Sequence, residues 1–177
     1  SDESLGYSEQ AVKVVSQPKK IAWNIFDERL HELMKEFEDY NNAIEAKAII
    51  KADNAAELSA LTGINKESLD KTIKEVEEMV EGKRKDSFGR DFTIKPKLES
   101  PYYTVKVTGA LFHTQGGLVV NEHAQVMDKN KVPLPNLFAG GGSARGISGP
   151  SDWGYIAGNG LLTATTFGRL AGVSAAN

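Results

Sequence analysis

A glycine-rich segment that leads into an apolar helical pattern constrains this fold more than any other feature of the sequence. The residues "GYIAGNGLLTATTFGRLAG" run from Gly154 to Gly172. Glycine lets the backbone approach a ligand closely, and the first N–H groups of a helix have no partner within it. We expect Gly158, Asn159 and Gly160 to begin a helix whose first turn faces negative charge or carbonyl oxygens.

A second glycine-rich segment, "NLFAGGGSARGISGP", covers Asn136–Pro150 and contains five glycines with Arg145 as its only charged residue. Apolar residues directly before the glycines predict a buried strand that runs into a loop. Such a loop can pass its backbone beside a phosphate or a ring system. A flexible surface loop is the alternative interpretation.

A third segment, "HTQGGLVVN", begins at His113 and contains Gly116 and Gly117. His113 is a candidate functional residue, although a lone histidine is commonly structural. The three segments contain no carboxylate pair, no Ser-His-Asp set and no metal-ligand spacing. Redox chemistry on a bound cofactor therefore fits them better than hydrolysis, because the cofactor would supply the reactive atoms.

Composition narrows the class of protein. The 177 residues, 40% of them hydrophobic, suffice for one ordinary domain or two small lobes. A net charge of −3 argues against nucleic acid or an anionic membrane as a partner. The absence of cysteine excludes disulfides and thiolate chemistry. No signal peptide or membrane span is visible, so we expect a soluble cytoplasmic or exported protein, and the start without Met suggests a cut chain.

The charge distribution predicts two lobes. Residues 1–95 contain 15 basic and 20 acidic residues, whereas residues 96–177 contain only 6 and 4. The first lobe is expected to be helix-rich with two short strands, "KIAWNIFDE" and "AKAIIKAD". The second is β-rich and punctuated by glycine and proline. The fold class is therefore α+β, with the boundary near Asp91–Pro101.

Three amphipathic helices are predicted in the first lobe. The first follows Glu28 and should direct Leu30, Leu33, Met34 and Phe37 into the core. The second begins at the N-cap Asn54, has Glu57 in the capping-box position and stops at Gly63. The third ends at Gly82, and its predicted core residues are Leu69, Ile73, Val76 and Val80.

The second lobe is expected to begin with one or two strands in "YYTVKVTGALFHT". A hairpin in "GGLVVNEHAQVMD" should turn at Asn121–Glu122. A turn then leads to the predicted buried strand before Gly140. The final segment is predicted to be a closely packed helix with small residues on one face.

Taken in order, the three glycine-containing segments resemble the C-terminal part of the FAD-dependent fumarate reductase/succinate dehydrogenase flavoprotein family, which includes 3-ketosteroid dehydrogenase-like relatives. The matching motifs are His113–Leu118, Leu134–Gly141, Gly158–Leu161 and Gly168–Gly172. Residues 20–100 are similar, more weakly, to the capping domain of that family. The resemblance implies a capping domain in residues 1–95 and, in residues 96–177, a hairpin, a strand and a last helix that complete an FAD-binding α/β domain.

The same resemblance implies the site. Its catalytic candidates are His113, on the substrate side of the flavin, with Tyr155 and Arg145. The start of the last helix would face the pyrimidine edge of the flavin. The expected FAD-binding residues are Gly116, Gly117, Gly140, Gly141, Gly142, Gly158, Asn159, Gly160, Leu161 and Leu162. The Gly-x-Gly-x-x-Gly fingerprint does not occur in these residues, so a missing N-terminal FAD-binding part is an expected partner.

Three positions differ from the family pattern. Gly142 occupies the place of a glutamate that contacts the FAD ribose, and Tyr155 that of a substrate-binding arginine. Leu5–Val15 contains no arginine to serve as the proton donor of the cap. A tyrosine can polarise a carbonyl, which favours a ketone or enone substrate over a dicarboxylate, although Tyr155 is equally compatible with packing. Arg145 could replace the missing anion clamp.

Two functions follow from these expectations. The first is part of an FAD-dependent oxidoreductase that transfers hydride between flavin N5 and an activated C–C bond of a small-molecule substrate. The second is a non-catalytic, cap-like binding module without a cofactor. Half of a flavin site should not retain FAD by itself, and its apolar surface should favour a homodimer of the isolated chain.

Overall fold

The computed structural model describes residues 2–111 and 113–176, which form two compact units. The first unit comprises the residues up to Leu5 together with Lys13–Gly109, and the second comprises Gly6–Val12 and the residues from Ala110 onward. The described helices are α1 Tyr7–Val15, α2 Glu28–Met34, α3 Glu38–Glu45, α4 Ala55–Thr62, α5 Lys66–Val80 and α6 Asn159–Ala175. The strands are β1 Ala22–Asp27, β2 Ile49–Ala52, β3 Tyr102–Val107, β4 Gln125–Met127 and β5 Pro133–Phe138. This mixture of helices and small sheets confirms the α+β class.

A three-stranded antiparallel sheet in the order β1-β3-β2 organises the first unit. Its core consists of Ala52, Leu58 and Leu69, which are buried. Leu58 lies on α4, which contacts β2 and packs against α5, and Leu69 lies on α5. The strands predicted in "KIAWNIFDE" and "AKAIIKAD" are confirmed by β1 and β2.

Helix α4 has the predicted ends. The Asn54 side chain accepts a hydrogen bond from the Glu57 N–H at 2.9 Å. The Glu57 carboxylate accepts one from the Asp53 N–H at 2.8 Å, so the capping box closes one residue earlier than its standard form. Gly63 ends the helix with a φ of 75°, in the left-handed region that glycine adopts without strain.

The single helix expected after Glu28 is wrong. The chain forms α2 and α3 instead, and Phe37, between them, has an extended backbone with a φ of −105° and a ψ of 130°. The predicted core residues Leu30, Leu33, Met34 and Phe37 are all exposed. Tyr40 is buried in their place, because the turn directs it against Phe26 of the sheet. No glycine or proline marks this turn in the sequence.

His31 is enclosed by aromatic side chains of the first unit. Its ring stacks on Tyr103 with 4.0 Å between centroids, and its Nδ1 lies 2.8 Å from the Tyr40 hydroxyl. Burial is the main cause that lowers the pKa of His31 below its ordinary value, and Lys35 adds to the effect. Glu28 and Glu32 oppose it, and Lys51 contributes in the same direction as Lys35.

We therefore expect the first unit to lose stability as the pH falls below about 6.5, where histidine in the unfolded chain takes up a proton before the folded His31 does. Urea unfolding at pH 7.5 and pH 5.5 measures this loss. In His31→Phe the difference between the two pH values should be smaller than in the wild type. Replacement of the exposed His123 by phenylalanine is the control and should leave the stability difference between the two pH values unchanged. An equal stability difference in the wild type and in His31→Phe would contradict the expectation.

The second unit contains a hairpin and the two-stranded β4-β5 sheet, packed against α6. Its core consists of Val126, Ala139 and Ala144, with Val120 and Phe167 packed against them. The predicted turn is confirmed, because Val120 pairs with Val126 and the Asn121 side chain accepts from two N–H groups within the turn.

The expectation of a buried strand before Gly140 is wrong. Strand β5 is exposed along Pro133–Leu137, and burial begins only near Phe138 and Ala139. β5 has one hydrogen-bonded neighbour, β4, among the described residues. Helix α6 contacts β5, but it leaves Pro133–Leu137 exposed, so the apolar side chains of these residues are not part of the core.

The first unit extends past the lobe boundary that the sequence predicts near Asp91–Pro101. Strand β3 is central in its sheet, and the unit ends at Gly109. A second strand within "YYTVKVTGALFHT" does not form at residues 108–111, and Phe112 lies outside the described residues. The assignment of residues 1–95 to a capping domain is functional and stays a prediction. In the described part of the chain, each helix is too short or too polar to cross a membrane.

Candidate functional site

The start of α6 forms the centre of the candidate site. The helix begins at Asn159, as predicted, after Gly158 with a φ of 79°. This left-handed conformation is one that glycine adopts without steric cost. Asn159 is only 1% exposed although its side chain is polar. The first turn of α6 therefore combines unpaired N–H groups with a buried amide side chain.

His113 lies against this first turn. A Cβ atom on Gly160 would lie 3.4 Å from Cε1 of the His113 ring, so the ring lies at van der Waals range from the first turn of the helix. The Nε2 atom of His113 is buried and has no hydrogen-bond partner among the described residues. The structure thus brings two of the predicted site residues, His113 and Gly160, together.

The segment after His113 is held by backbone pairing with the second glycine-rich loop. Leu118 donates to the Ser143 carbonyl and accepts from the Arg145 N–H, both at 2.9 Å. Gly117 sits inside this pairing, where a Cβ atom would lie 2.6 Å from the Ala144 carbonyl oxygen and 2.7 Å from the Arg145 nitrogen. Only glycine allows this approach.

The other predicted glycines divide into two groups. Gly140 and Gly141 pack on α6, where added Cβ atoms would lie 3.1 Å from Phe167 and 3.3 Å from Ala164. Gly141 also has a φ of 57°. An added Cβ at Gly116, Gly142 or Gly158 would meet no described atom within 4 Å. Gly140 and Gly141 thus serve helix packing, and the other three leave open backbone.

Tyr155 is close to His113. The two rings meet edge to face with 6.4 Å between centroids, and the ring of Tyr7 meets Tyr155 at 5.4 Å. A hydrogen bond to Tyr155 is the main cause that raises the pKa of Tyr7. Tyr7 is far from Tyr155 in sequence, and no pattern around it indicated a place at the site.

Three buried polar atoms in this region have no hydrogen-bond partner within the described structure: His113 Nε2, Gln115 Oε1 and Asn159 Oδ1. Buried polar atoms are nearly always paired, so such a group points to a missing polar ligand or water. Gln115 was not predicted as a site residue, and its place between His113 and Gly116 is the one sequence signal for it.

The remaining predicted residues are on the surface. Leu161 is 79% exposed and Leu162 is 57% exposed, on the first turn of α6. Arg145 is exposed, and no hydrogen bond or ion pair of its side chain occurs with the described residues. The structure therefore groups His113, Tyr155, Asn159 and Gly160, and leaves Arg145 without a described partner.

Comparison with known proteins gives the family context. The model of the family described as "FAD binding domain" matches residues 20–161. A probable fumarate reductase of Shewanella frigidimarina is 32% identical over 163 residues, which are 92% of this chain and 27% of that protein. A urocanate reductase of Eggerthella lenta is 33% identical over 132 residues, 72% of this chain and 21% of that protein.

A solved structure is similar as well. The open conformation of a flavocytochrome c3 fumarate reductase matches with a TM-score of 0.71 and 30% identity, covering 97% of this chain and 29% of that one. The chain spans about a quarter of the length of the Shewanella relative and of this solved structure.

Proposed function

Because this chain belongs to the FAD binding domain family, we propose that it forms part of an FAD-dependent oxidoreductase. In this proposal residues 1–95 are the capping domain and residues 96–177 are the C-terminal segment of the FAD-binding domain. The rest of the FAD site, including the dinucleotide fingerprint, is contributed by residues outside this segment. The three buried polar atoms without partners at the start of α6 are the observation that carries the proposal.

These atoms fit a flavin. The ring system of a flavin presents an N–H donor and carbonyl acceptors along one edge, and Gln115 and Asn159 each offer a buried amide oxygen to a donor. The free N–H groups of the first turn of α6 suit the carbonyl acceptors. The open backbone at Gly116, Gly142 and Gly158 gives a planar ligand room to approach. We propose these residues, with Gly117, Gly140, Gly141, Gly160, Leu161 and Leu162 around them, as the FAD-binding set of this chain.

When bound, FAD supplies hydride exchange between its N5 atom and an activated C–C bond. The protein's own contribution comes from His113 and Tyr155, whose rings are neighbours. The Tyr155 hydroxyl donates one hydrogen bond to a substrate carbonyl, and His113 binds a second substrate oxygen through Nε2. A donor held toward the carbonyl stabilises the negative charge that develops there during hydride transfer.

This arrangement favours a ketone or enone substrate. A neutral phenol cannot form the bidentate ion pair with which an arginine holds a carboxylate. Fumarate reduction is the second candidate, because the relatives include a probable fumarate reductase at 32% identity. It would require Arg145 to act as the anion clamp, and the exposed Arg145 side chain leaves its guanidinium available for that role.

Reoxidation of the reduced flavin separates the two candidates. The FAD-containing protein that includes this segment is reduced with dithionite and mixed with fumarate or with cyclohex-2-enone. We expect the enone to reoxidise the flavin faster than fumarate. Rapid reoxidation by fumarate that is abolished in Arg145→Ala would contradict the enone assignment and support the second candidate.

The 177-residue chain alone should not retain FAD, because the proposal assigns to it only part of the site. The chain is incubated with excess FAD and desalted, and its absorbance near 450 nm is recorded. We expect no stoichiometric flavin band. A flavin band from this chain alone would contradict the assignment of half a site.

The isolated chain should also form a homodimer. The exposed Leu134, Leu137 and Val173 should be covered by a second copy of the chain, which size-exclusion chromatography detects.

A further inference from the structure

Residues 148–156 form one loop that carries Tyr155. Its two ends, residues 148–149 and 154–156, are hydrogen-bonded to each other, and we call this paired region the neck of the loop. The Gly149 N–H donates to the Gly154 carbonyl at 2.8 Å, which fixes the peptide group before Tyr155. The Ile156 N–H donates to Ser148 Oγ at 2.9 Å, which fixes the peptide group after it. Two consecutive residues, Ser148 and Gly149, therefore hold the backbone that carries the Tyr155 ring.

A buried side chain joins this neck to α6. Asn159 Nδ2 donates to Ser148 Oγ and to the Ile156 carbonyl, each at 2.7 Å. The Thr163 hydroxyl donates to the Asn159 carbonyl at 2.8 Å, one turn further along the helix. Because Asn159 is almost fully buried, these hydrogen bonds are shielded from competing water.

The loop closes tightly at the same place. A Cβ atom on Gly154 would lie 2.6 Å from the Gly149 carbonyl carbon, and one on Gly149 would lie 3.2 Å from Gly154 Cα. The two glycines thus let the backbone segments at 149 and 154 come into contact, next to the hydrogen bond from the Ile156 N–H to Ser148 Oγ.

The first turn of α6 consequently contacts or holds the segments that carry both proposed reactive side chains, His113 and Tyr155. His113 lies against Gly160, and the neighbouring Asn159 holds the neck that carries Tyr155. We infer that Ser148 is a positioning residue, which sets the Tyr155 hydroxyl relative to His113 through the Ile156 N–H and Asn159. This inference rests on the proposed function, in which Tyr155 contacts the substrate.

A double-mutant cycle in the FAD-containing protein tests the inference. The variants are Ser148→Ala, Ser148→Thr and Tyr155→Phe, together with the combination of Ser148→Ala and Tyr155→Phe. Ser148→Ala should lower kcat/KM about tenfold, the effect of one lost hydrogen bond, with unchanged FAD content. Ser148→Thr keeps the hydroxyl and should restore most of the rate. Ser151→Ala, in the same loop but outside the neck, should leave the rate unchanged.

The effect of Ser148→Ala is compared in the wild-type and in the Tyr155→Phe protein, because this comparison distinguishes a positioning role of Ser148 from a purely stabilising one. If Ser148 acts through Tyr155, Ser148→Ala should change kcat/KM by less than about twofold once Tyr155 is phenylalanine. A tenfold loss in both backgrounds would overturn the inference while leaving the proposed function intact. If Tyr155→Phe alone leaves the rate unchanged, the proposed function itself fails.

Hydrogen exchange gives a readout besides activity. In Ser148→Ala the amides of Gly149 and Ile156 should exchange at least several-fold faster, because both are protected at the neck. The amides of α6 beyond Thr163 should keep their wild-type rates, and faster exchange along the whole helix would show a structural role only. If Ser148→Ala does not fold, Ser148→Cys enters the same cycle, and the same comparison of backgrounds applies.

Discussion

Tyr155→Phe is expected to slow reoxidation of the reduced flavin by an enone substrate about 100-fold, with FAD content unchanged. The substitution removes one hydroxyl and keeps the ring that packs edge to face against His113 and Tyr7. Removing a single donor that stabilises developing charge typically costs rates of this order. Stopped-flow absorbance of the flavin measures the rate directly.

His113→Ala should produce a loss of the same order, because it removes the buried Nε2 proposed to bind the second substrate oxygen. His123→Ala is the matched control, since His123 is an exposed histidine of the same unit that lies 3.8 Å from Glu122. Wild-type rates in both Tyr155→Phe and His113→Ala would exclude these two residues from the reaction. A loss of flavin from either variant would place that residue in cofactor binding instead.

Gly117→Ala is expected to destabilise the second unit by about 1–3 kcal/mol, the usual cost of forcing extra atoms into a packed site. The added methyl group would overlap the Ala144 carbonyl and the Arg145 nitrogen, and a shift of the Arg145 nitrogen would disturb its hydrogen bond to the Leu118 carbonyl. Urea unfolding measures the loss. Trp153 reports on the second unit once Trp23, in the first unit, is replaced by phenylalanine.

Gly116→Ala provides the matched control, because a Cβ atom at Gly116 would meet no described atom within 4 Å. Its free energy of unfolding should stay within about 0.5 kcal/mol of the wild type, as for most surface changes. Equal stabilities of the two variants would show that the close approach at Gly117 is relieved by movement of the backbone.

Local features of the fold followed from the sequence by itself. The cap of α4 at Asn54, its end at Gly63, the turn at Asn121 and the start of α6 at Asn159 all depend on residues within a few positions of one another. The hydrogen bonds that fix such features form between neighbours in the chain. Side-chain chemistry and glycine conformation therefore determine them before any long-range contact exists.

Long-range contacts decided the rest. The apolar pattern from Leu30 to Phe37 predicted one buried helix, but the chain turns there and Tyr40 packs against Phe26 of the sheet instead. Periodicity gives the side of an element on which apolar residues lie, and burial depends on whether another layer covers that side. Strand β5 is apolar and exposed for this reason.

The same distinction holds for the site. The order of His113, the glycine-rich loop and the last helix resembled a flavoprotein family, and the match of residues 20–161 to the FAD binding domain model supports such a family. The neighbours of Tyr155 could not be predicted, since Tyr7 comes from the other end of the chain and Ser148 acts through a backbone N–H. The sequence thus predicted which residues are candidates for the chemistry, and the tertiary structure alone decided which residues lie against those candidates, because those contacts form only after folding.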